Sequence, residues 1–331
     1  MNIVFWGTPD YAAENLHAIH ELEHNIVAVV TQPDKRRSRG SSVDQSPVKR
    51  LAISLNIPVL TPKRVRNNTL FMNQLKELKA DMFIVVAYGK ILPKEILEYP
   101  LYGCWNSHAS LLPKLRGAAP MQWSIINGDR LTGVSIMLMD QGLDTGPILL
   151  KDKIEILNED NIITLSSKMS NLSSSLLLKL IEIINIYHQN KELDYKKLLN
   201  LTYQNKTNIS PSYARLINKA DCIVNWNDNA KNIHRMIRGF HPNAYSIINN
   251  KRIKVLSCKI FNKKFNDINP GTIIEVINKS DLLVTCYDSS LQIEEIQIEG
   301  KKPIKGSNMI QQVYSLFGEI VGIKFTTIKT T

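Results

Sequence analysis

The sequence predicts an α/β protein with an open parallel sheet and crossover helices, followed by a small β-barrel. Three observations lead there. Apolar strand-like runs alternate with helix-period segments in the first part of the chain, the pattern of parallel strands joined by helices. A polar stretch at 189–209 then interrupts the chain. Beyond it come short β-like runs separated by turn-forming clusters, as in small barrels.

Residues 3–6, Ile-Val-Phe-Trp, form the first strand, and Gly7-Thr8-Pro9 turns the chain into a helix at 11–22. Leu16, Ile19 and Leu22 make its apolar stripe. Residues 26–31 form a second strand, 46–55 and 70–78 are helical, and 82–87 is an apolar buried strand. The first turn holds Gly7 alone, without G-x-G-x-x-G, so a dinucleotide cofactor is not expected. Open parallel sheets bind ligands beyond the carboxyl ends of their strands. Tyr88-Gly89 and the segment around Asn106 fall at such ends. Residues 176–186 are apolar but broken by Lys179 and Glu182, which reads as a buried amphipathic helix. The polar stretch, with Lys191, Lys196 and Lys197, reads as a linker. A helix at 230–239 precedes strands at 253–257, 271–277, 282–286 and 291–298, with turn signals at Asn249-Asn250, Asn269-Pro270-Gly271 and Asp288-Ser289-Ser290. The expected boundaries are a first domain at 1–189, a linker at 190–206 and a second domain at 207–331.

The chain has 331 residues, 44% of them hydrophobic, enough for one large or two ordinary domains. Mean hydropathy is −0.14, and no apolar run is long enough to span a bilayer. The N-terminus enters an apolar strand without a basic lead-in, so a cytoplasmic protein without membrane contact is expected. Cys104, Cys222, Cys258 and Cys286 form no Cys-x-x-Cys pair, which argues against a zinc site or disulfide framework. Cys104, two residues before Asn106, reads as a small buried strand residue rather than a nucleophile. His17, His20 and His24 have helical spacing but lie off the apolar stripe beside Glu21 and Glu23, so they read as a solvated face and not a metal site.

The net charge is +11 and unevenly placed. Residues 1–206 carry 24 Lys and Arg against 20 Asp and Glu, net +4; residues 207–331 carry 17 against 10, net +7. Between Asn229 and Asn266 lie Lys231, Arg235, Arg238, Lys251, Arg252, Lys254, Lys259, Lys263 and Lys264, with no acidic residue. A polyanionic partner is the natural inference. Against it stands the Asn-, Ile- and Lys-rich composition, which a base-biased genome produces by itself.

The chemistry concentrates in Asn106-Ser107-His108-Ala109-Ser110-Leu111-Leu112-Pro113-Lys114-Leu115-Arg116-Gly117-Ala118-Ala119-Pro120. In an extended segment, alternate residues share a face. That aims the Asn106 amide, the His108 imidazole and the Ser110 hydroxyl into one space. Asp144 follows in a loop between Gly142 and Gly146. An amide donor with an Asp–His pair suits acyl transfer, because amide and imidazolium stabilise a developing oxyanion while the carboxylate orients and charges the ring.

This pattern resembles the folate-dependent formyltransferases, whose catalytic Asn, His and Asp are spaced like Asn106, His108 and Asp144. Ser110-Leu-Leu-Pro113 followed by Arg116-Gly-Ala-Ala-Pro120 is similar to the members that formylate initiator methionyl-tRNA. Phe5-Trp-Gly7-Thr-Pro-Asp10, Thr31-Gln-Pro-Asp34, Ser46-Pro-Val-Lys49 and Val85-Val-Ala-Tyr88-Gly89-Lys-Ile-Leu-Pro93 match that family's blocks in order, over nearly the whole chain. The resemblance implies a Rossmann-like formyltransferase fold followed by an OB-like tRNA-binding barrel. It implies formyl transfer from 10-formyltetrahydrofolate to the α-amine of methionyl initiator tRNA, by a monomer without metal.

The expected catalytic residues are Asn106, His108 and Asp144. The formyl donor is expected along Tyr88, Gly89, Lys90, Ile91 and Leu92 and along Ser110, Leu111, Leu112 and Pro113, with backbone groups of Lys90, Ile91 and Leu92 reading the pterin. The tRNA is expected on Arg36, Arg37 and Arg39 in the first long loop and on Arg235, Arg238, Lys251, Arg252 and Lys254. There are departures: Ala109 stands where the family usually has Gly, Ser41 and Ser42 where it has lysines, and His241-Pro-Asn-Ala244 replaces an aromatic-rich run. Two alternatives remain, a formyltransferase of a small amine such as a sugar nucleotide, and a nonenzymatic tRNA-binding protein. The basic second domain argues against the first, and the intact Asn106, His108 and Asp144 against the second.

Overall fold

The structure, a computed structural model, describes residues 1–22, 24–36, 43–192 and 194–326. The elements run β1 (Asn2–Gly7), α1 (Asp10–His20), β2 (Asn25–Val30), β3 (Lys35–Arg36), β4 (Val43–Asp44), α2 (Pro47–Ser54), β5 (Val59–Leu60), α3 (Thr69–Glu77) and β6 (Met82–Val86). Next come α4 (Lys94–Leu97), β7 (Cys104–His108), β8 (Arg116–Gly117), α5 (Pro120–Asn127), β9 (Leu131–Leu138), β10 (Ile148–Glu155), α6 (Ile162–Gln189), α7 (Tyr195–Leu198) and β11 (Tyr213–Ala214). The last are α8 (Ala230–Gly239), β12 (Tyr245–Ile248), β13 (Lys251–Phe261), β14 (Ile273–Ile277), β15 (Asp281–Thr285), β16 (Ser290–Ile298), β17 (Ile304–Lys305) and α9 (Ser307–Phe317). Two compact units result: residues 1–120, 131–155 and 166–215, and residues 121–130, 156–165 and 216–331.

The first unit is built on a seven-stranded sheet in the order β10-β9-β7-β6-β1-β2-β5. Its β1, β2, β5, β6 and β7 are parallel, as the alternating pattern predicted. The antiparallel β9 and β10 at the edge were not anticipated. Chain order reverses at β1 and β6, so the crevice beyond their carboxyl ends is the expected ligand position. Thr8 Oγ1 and Gln32 Nε2 both donate to Tyr88 O there, at 3.1 and 3.0 Å. Helices start where capping side chains permit: Ser46 Oγ accepts from Lys49 N, and Asn68 Oδ1 from Phe71 N.

α6 begins well before the apolar run read at 176–186. Its early turns carry Ser170 and Ser173 into the core, where hydroxyls compensate buried polar groups. Ser173 Oγ donates to Asn15 Oδ1 at 2.6 Å and lies 2.6 Å from Ser107 Oγ. Among the described residues, no helix is long and apolar enough to cross a membrane. The stretch 190–206 is not a bare connection. It holds α7 and a 3-10 turn at Gln204–Lys206, with Tyr195 and Gln204 buried inside the first unit.

The second unit wraps an antiparallel sheet, β12-β13-β16-β15-β14 with β17 on β16, around one apolar core. Residues 323–326 close it. Thr326 N donates to Ile247 O on the β12 side, and Ile273 N of β14 to Ile323 O, both at 2.8 Å. α8 occupies the predicted span and buries Ile233 and Ile237, with Asn229 capping its first turn.

Candidate active site

β7 lies between β6 and β9, with Val85 opposite Asn106 and His108 opposite Ser135. The pleat does what the alternation required. Ser107 points back to Ser173 on α6, and Asn106 and His108 point the other way, toward Asp144. Asn106 Nδ2 is 3.5 Å from Asp144 Oδ1, and His108 Nδ1 is 3.6 Å from Asp144 Oδ2. Gly117 N donates to the same Oδ2 at 2.7 Å, a charge-assisted hydrogen bond. The His108 and Asp144 side chains are only 6% and 13% exposed, so their attraction is little screened by solvent.

His108 Nε2 lies 3.0 Å from Leu115 O. Both ring nitrogens face oxygens, Nε2 within hydrogen-bond distance of Leu115 O and Nδ1 just beyond it from the Asp144 carboxylate. Ala87, Leu115 and Asp144 all have left-handed backbone, φ +47, +57 and +52. Non-glycine residues held there cost about 1–2 kcal/mol each, and such strain gathers at functional sites.

Ser110 does not share the face of Asn106 and His108, contrary to the alternation argument. β7 ends at His108, and the chain turns so that the fully buried Ser110 Oγ donates to Lys114 O at 2.6 Å. Ser135 Oγ ties this turn together, donating to Ser110 O and accepting from Leu112 N. Leu112 and Pro113 are buried and Leu111 is half-buried, so this segment is packed on the core. On the opposite wall the Tyr88 ring is buried against Trp6 at 5.2 Å, and burial pushes its phenol up. Gly89 and Ile91 are exposed, Leu92 is buried, and Lys90 Nζ donates to Pro62 O and Lys63 O. The backbone N–H groups of Lys90, Ile91 and Leu92 find no acceptor among the described residues. Cys104 is buried with its thiol pushed up by desolvation.

The expected polyanion contacts divide. Arg37, Arg39, Ser41 and Ser42 lie outside the described residues, and so does the side chain of Arg36. Lys251, Arg252 and Lys254 lie on β13, where Lys251 and Arg252 are exposed. The Arg252 guanidinium stands over the Tyr245 ring at 5.5 Å, and Lys254 Nζ donates to Asn243 Oδ1 at 3.3 Å. Arg238 is committed inside its own unit. Its Nη1 donates to Leu157 O and Asp160 O at 3.1 and 2.8 Å, and desolvation lowers its pKa. The Arg235 guanidinium packs on Gly128, where an added Cβ would meet it at 2.0 Å. The acid-free sequence stretch is also partly neutralised from β16, where Glu294 pairs with Lys259.

Arg116 and Gln204 were missed as site residues. Arg116, buried to 9% exposure, donates through Nε and Nη2 to Gln204 Oε1 at 3.1 and 2.7 Å. The buried Arg beside Gly117 was a usable signal; Gln204, in a polar stretch resembling a linker, offered none.

A protected Asn–His–Asp constellation on β7, next to the switch point of an α/β sheet, followed by a closed β unit, is the frame of a one-carbon acyl transferase. The family models agree: residues 1–181 match Formyl transferase and residues 216–313 match Formyl transferase, C-terminal domain, and the chain belongs to the formyl transferase family. Within it, the chain is 45% identical over 329 residues to the methionyl-tRNA formyltransferase of Prochlorococcus marinus subsp. pastoris, covering 96% of this chain and 99% of that one. It is 39% identical to the methionyl-tRNA formyltransferase of Synechococcus sp. (strain CC9311), covering 95% and 96%. Among solved structures it has the fold of an N-formyltransferase from Helicobacter canadensis in complex with folinic acid and dTDP-3-aminofucose, with TM-score 0.60, 21% identity and coverage of 88% and 97%.

Proposed function

We propose that this chain transfers the formyl group of 10-formyltetrahydrofolate to the α-amine of methionine on initiator tRNA. The observation that carries the chemistry is the convergence of Asn106, His108 and Asp144 in one protected place. The amine attacks the formyl carbon, a carbon–nitrogen bond forms, the bond to the folate nitrogen breaks, and the amine's proton passes to that nitrogen. Negative charge builds on the formyl oxygen in between. The Asn106 amide supplies a donor to it. His108 is the second donor, since its Nδ1 faces Asp144 at 3.6 Å, longer than a hydrogen bond, and is not committed to the carboxylate. Asp144 keeps the ring charged and oriented.

The unspent N–H groups of Lys90, Ile91 and Leu92 form an edge of donors suited to a heterocycle with base-like acceptors. Ser110, Leu111, Leu112 and Pro113 support that site by packing, since the Ser110 hydroxyl is already committed. The tRNA backbone is assigned to Lys251, Arg252 and Lys254, with Arg235 and Arg238 holding the surface behind them, and to Arg36, Arg37 and Arg39 at the acceptor end. One chain suffices, because Asn106, His108 and Asp144 all come from its first unit. A cytoplasmic location follows from the two substrates.

The test is to give purified protein 10-formyltetrahydrofolate with either methionine-charged initiator tRNA or an amino-sugar nucleotide. Formyl-methionine from the tRNA alone is expected. Turnover of the sugar nucleotide with none of the tRNA would refute the assignment.

A further inference from the structure

Asp144 holds a left-handed backbone, φ +52, which persists only where neighbours over-determine it. One distant side chain does most of this. Gln204 Nε2 donates to Asp144 O at 2.9 Å and to Gly146 O at 2.8 Å, on both sides of the bend. Its Oε1 accepts from Arg116 Nε at 3.1 Å and Nη2 at 2.7 Å. Both amide hydrogens and both lone pairs are thus used, in a residue 4% exposed. The flipped amide would set donors against a guanidinium and an oxygen against two carbonyls, so the orientation is unambiguous. Arg116 in turn precedes Gly117, whose N–H holds the Asp144 carboxylate at 2.7 Å. Gln204 therefore joins the main chain that carries the carboxylate to the strand that grips it.

We propose that Gln204 is a positioning residue for formyl transfer, keeping the Asp144 carboxylate turned toward His108. It acts through Asp144 and contacts no reacting group. The proposal rests on the reaction assigned above.

The experiment compares Gln204→Met, which keeps volume but loses all four hydrogen bonds, with Gln204→Glu. The glutamate retains an acceptor for Arg116 and opposes the carbonyls of Asp144 and Gly146 with oxygen. For each folded variant, kcat should fall about 10- to 100-fold, the cost of displacing a catalytic group by a fraction of an ångström to an ångström. KM for charged tRNA and affinity for the folate should stay within about twofold. In a His108→Asn background, Gln204→Met should lower kcat no further, because both changes disable one unit. A glutamine needed only for folding would lower the melting temperature and leave kcat of the folded protein unchanged. Folded variants with parental kcat, or losses that multiply with His108→Asn, would overturn the proposal. If Gln204→Met does not fold, Gln204→Glu bears the same expectation alone. A parent that formylates charged tRNA beside unaffected variants refutes this inference only, whereas an inactive parent refutes the reaction and the inference together.

Discussion

Gly146→Ala should disable catalysis through geometry alone. A Cβ on Gly146 would lie 1.9 Å from Leu138 O, a backbone atom, and 3.0 Å from its carbonyl carbon. Ordinary contact begins near 3.4 Å, so the loop and β9 must part by about 1.5 Å, because no rotamer relieves a backbone clash. Asp144 is two residues away and shares the Gln204 anchor with Gly146. A displacement of about 1 Å at a catalytic group costs on the order of 100-fold, or about 2.7 kcal/mol of barrier. Overpacking itself costs about 1–3 kcal/mol of stability, within the reserve of a normal domain. The assay is kcat on charged initiator tRNA at saturating folate, with a thermal melt to show folding. Gly300→Ala is the control. Its Cβ would meet nothing within 4 Å at φ +77, so it should lose a little stability and no kcat. A folded Gly146→Ala protein within about threefold of the parent would refute the claim that this loop sets the carboxylate.

Asn106→Ala, His108→Ala and Asp144→Ala should each lower kcat about 100- to 1,000-fold with the melt preserved; a folded His108→Ala enzyme of near-normal turnover would remove that residue from the mechanism. Lys251→Ala, Arg252→Ala and Lys254→Ala should each weaken tRNA binding and flatten its logarithmic salt slope by roughly 1. Arg238→Ala should instead lower the melting temperature and leave that slope intact, since its guanidinium serves the carbonyls of Leu157 and Asp160. Arg39→Ala should reduce formylation at limiting tRNA with folate affinity unchanged; equal activity would place the acceptor contact elsewhere. His234, chiefly through desolvation and then Arg238 and Arg235, is lowered from 6.5 to about 4. A depressed folded value means that the unfolded chain takes the proton first. Stability is therefore complete above pH 6.5 and falls by at most roughly 3 kcal/mol toward pH 4. His234→Gln should flatten that limb of a pH-dependent melt.

The parallel half of the fold was readable because each of its strands and helices carries its own signal. Ile3 to Trp6 and Met82 to Val86 are uninterrupted buried runs, and Ala230–Gly239 has a cap and a stripe. Asn106 and His108 were readable because a two-residue period survives in β7. Ser110 was misread because nothing local announces that the strand ends at His108, and the turn beyond it is held by Ser135 from another strand. The stretch containing Gln204 looked like a linker because its composition is polar, although its amide is buried by groups 58 to 88 residues away in sequence. The basic surface looked purer than it is, since Glu294 and its neighbours arrive from β16 by strand pairing. Periodicity reports which face a residue occupies; it does not report which distant groups complete that face.

Single-turnover formylation by Asp144→Asn tests the central claim most directly. Asparagine keeps the size and, with its oxygen in the place of Oδ2, an acceptor for Gly117 N; it removes the charge that faces His108 at 3.6 Å and sets an N–H toward Asn106 Nδ2 in place of Oδ1. With charged tRNA and folate both bound, the formyl-transfer step should slow by about 100-fold or more. A step within about threefold of the parent, measured under the same saturation, would contradict the assignment of the Asp144–His108 pair to oxyanion stabilisation.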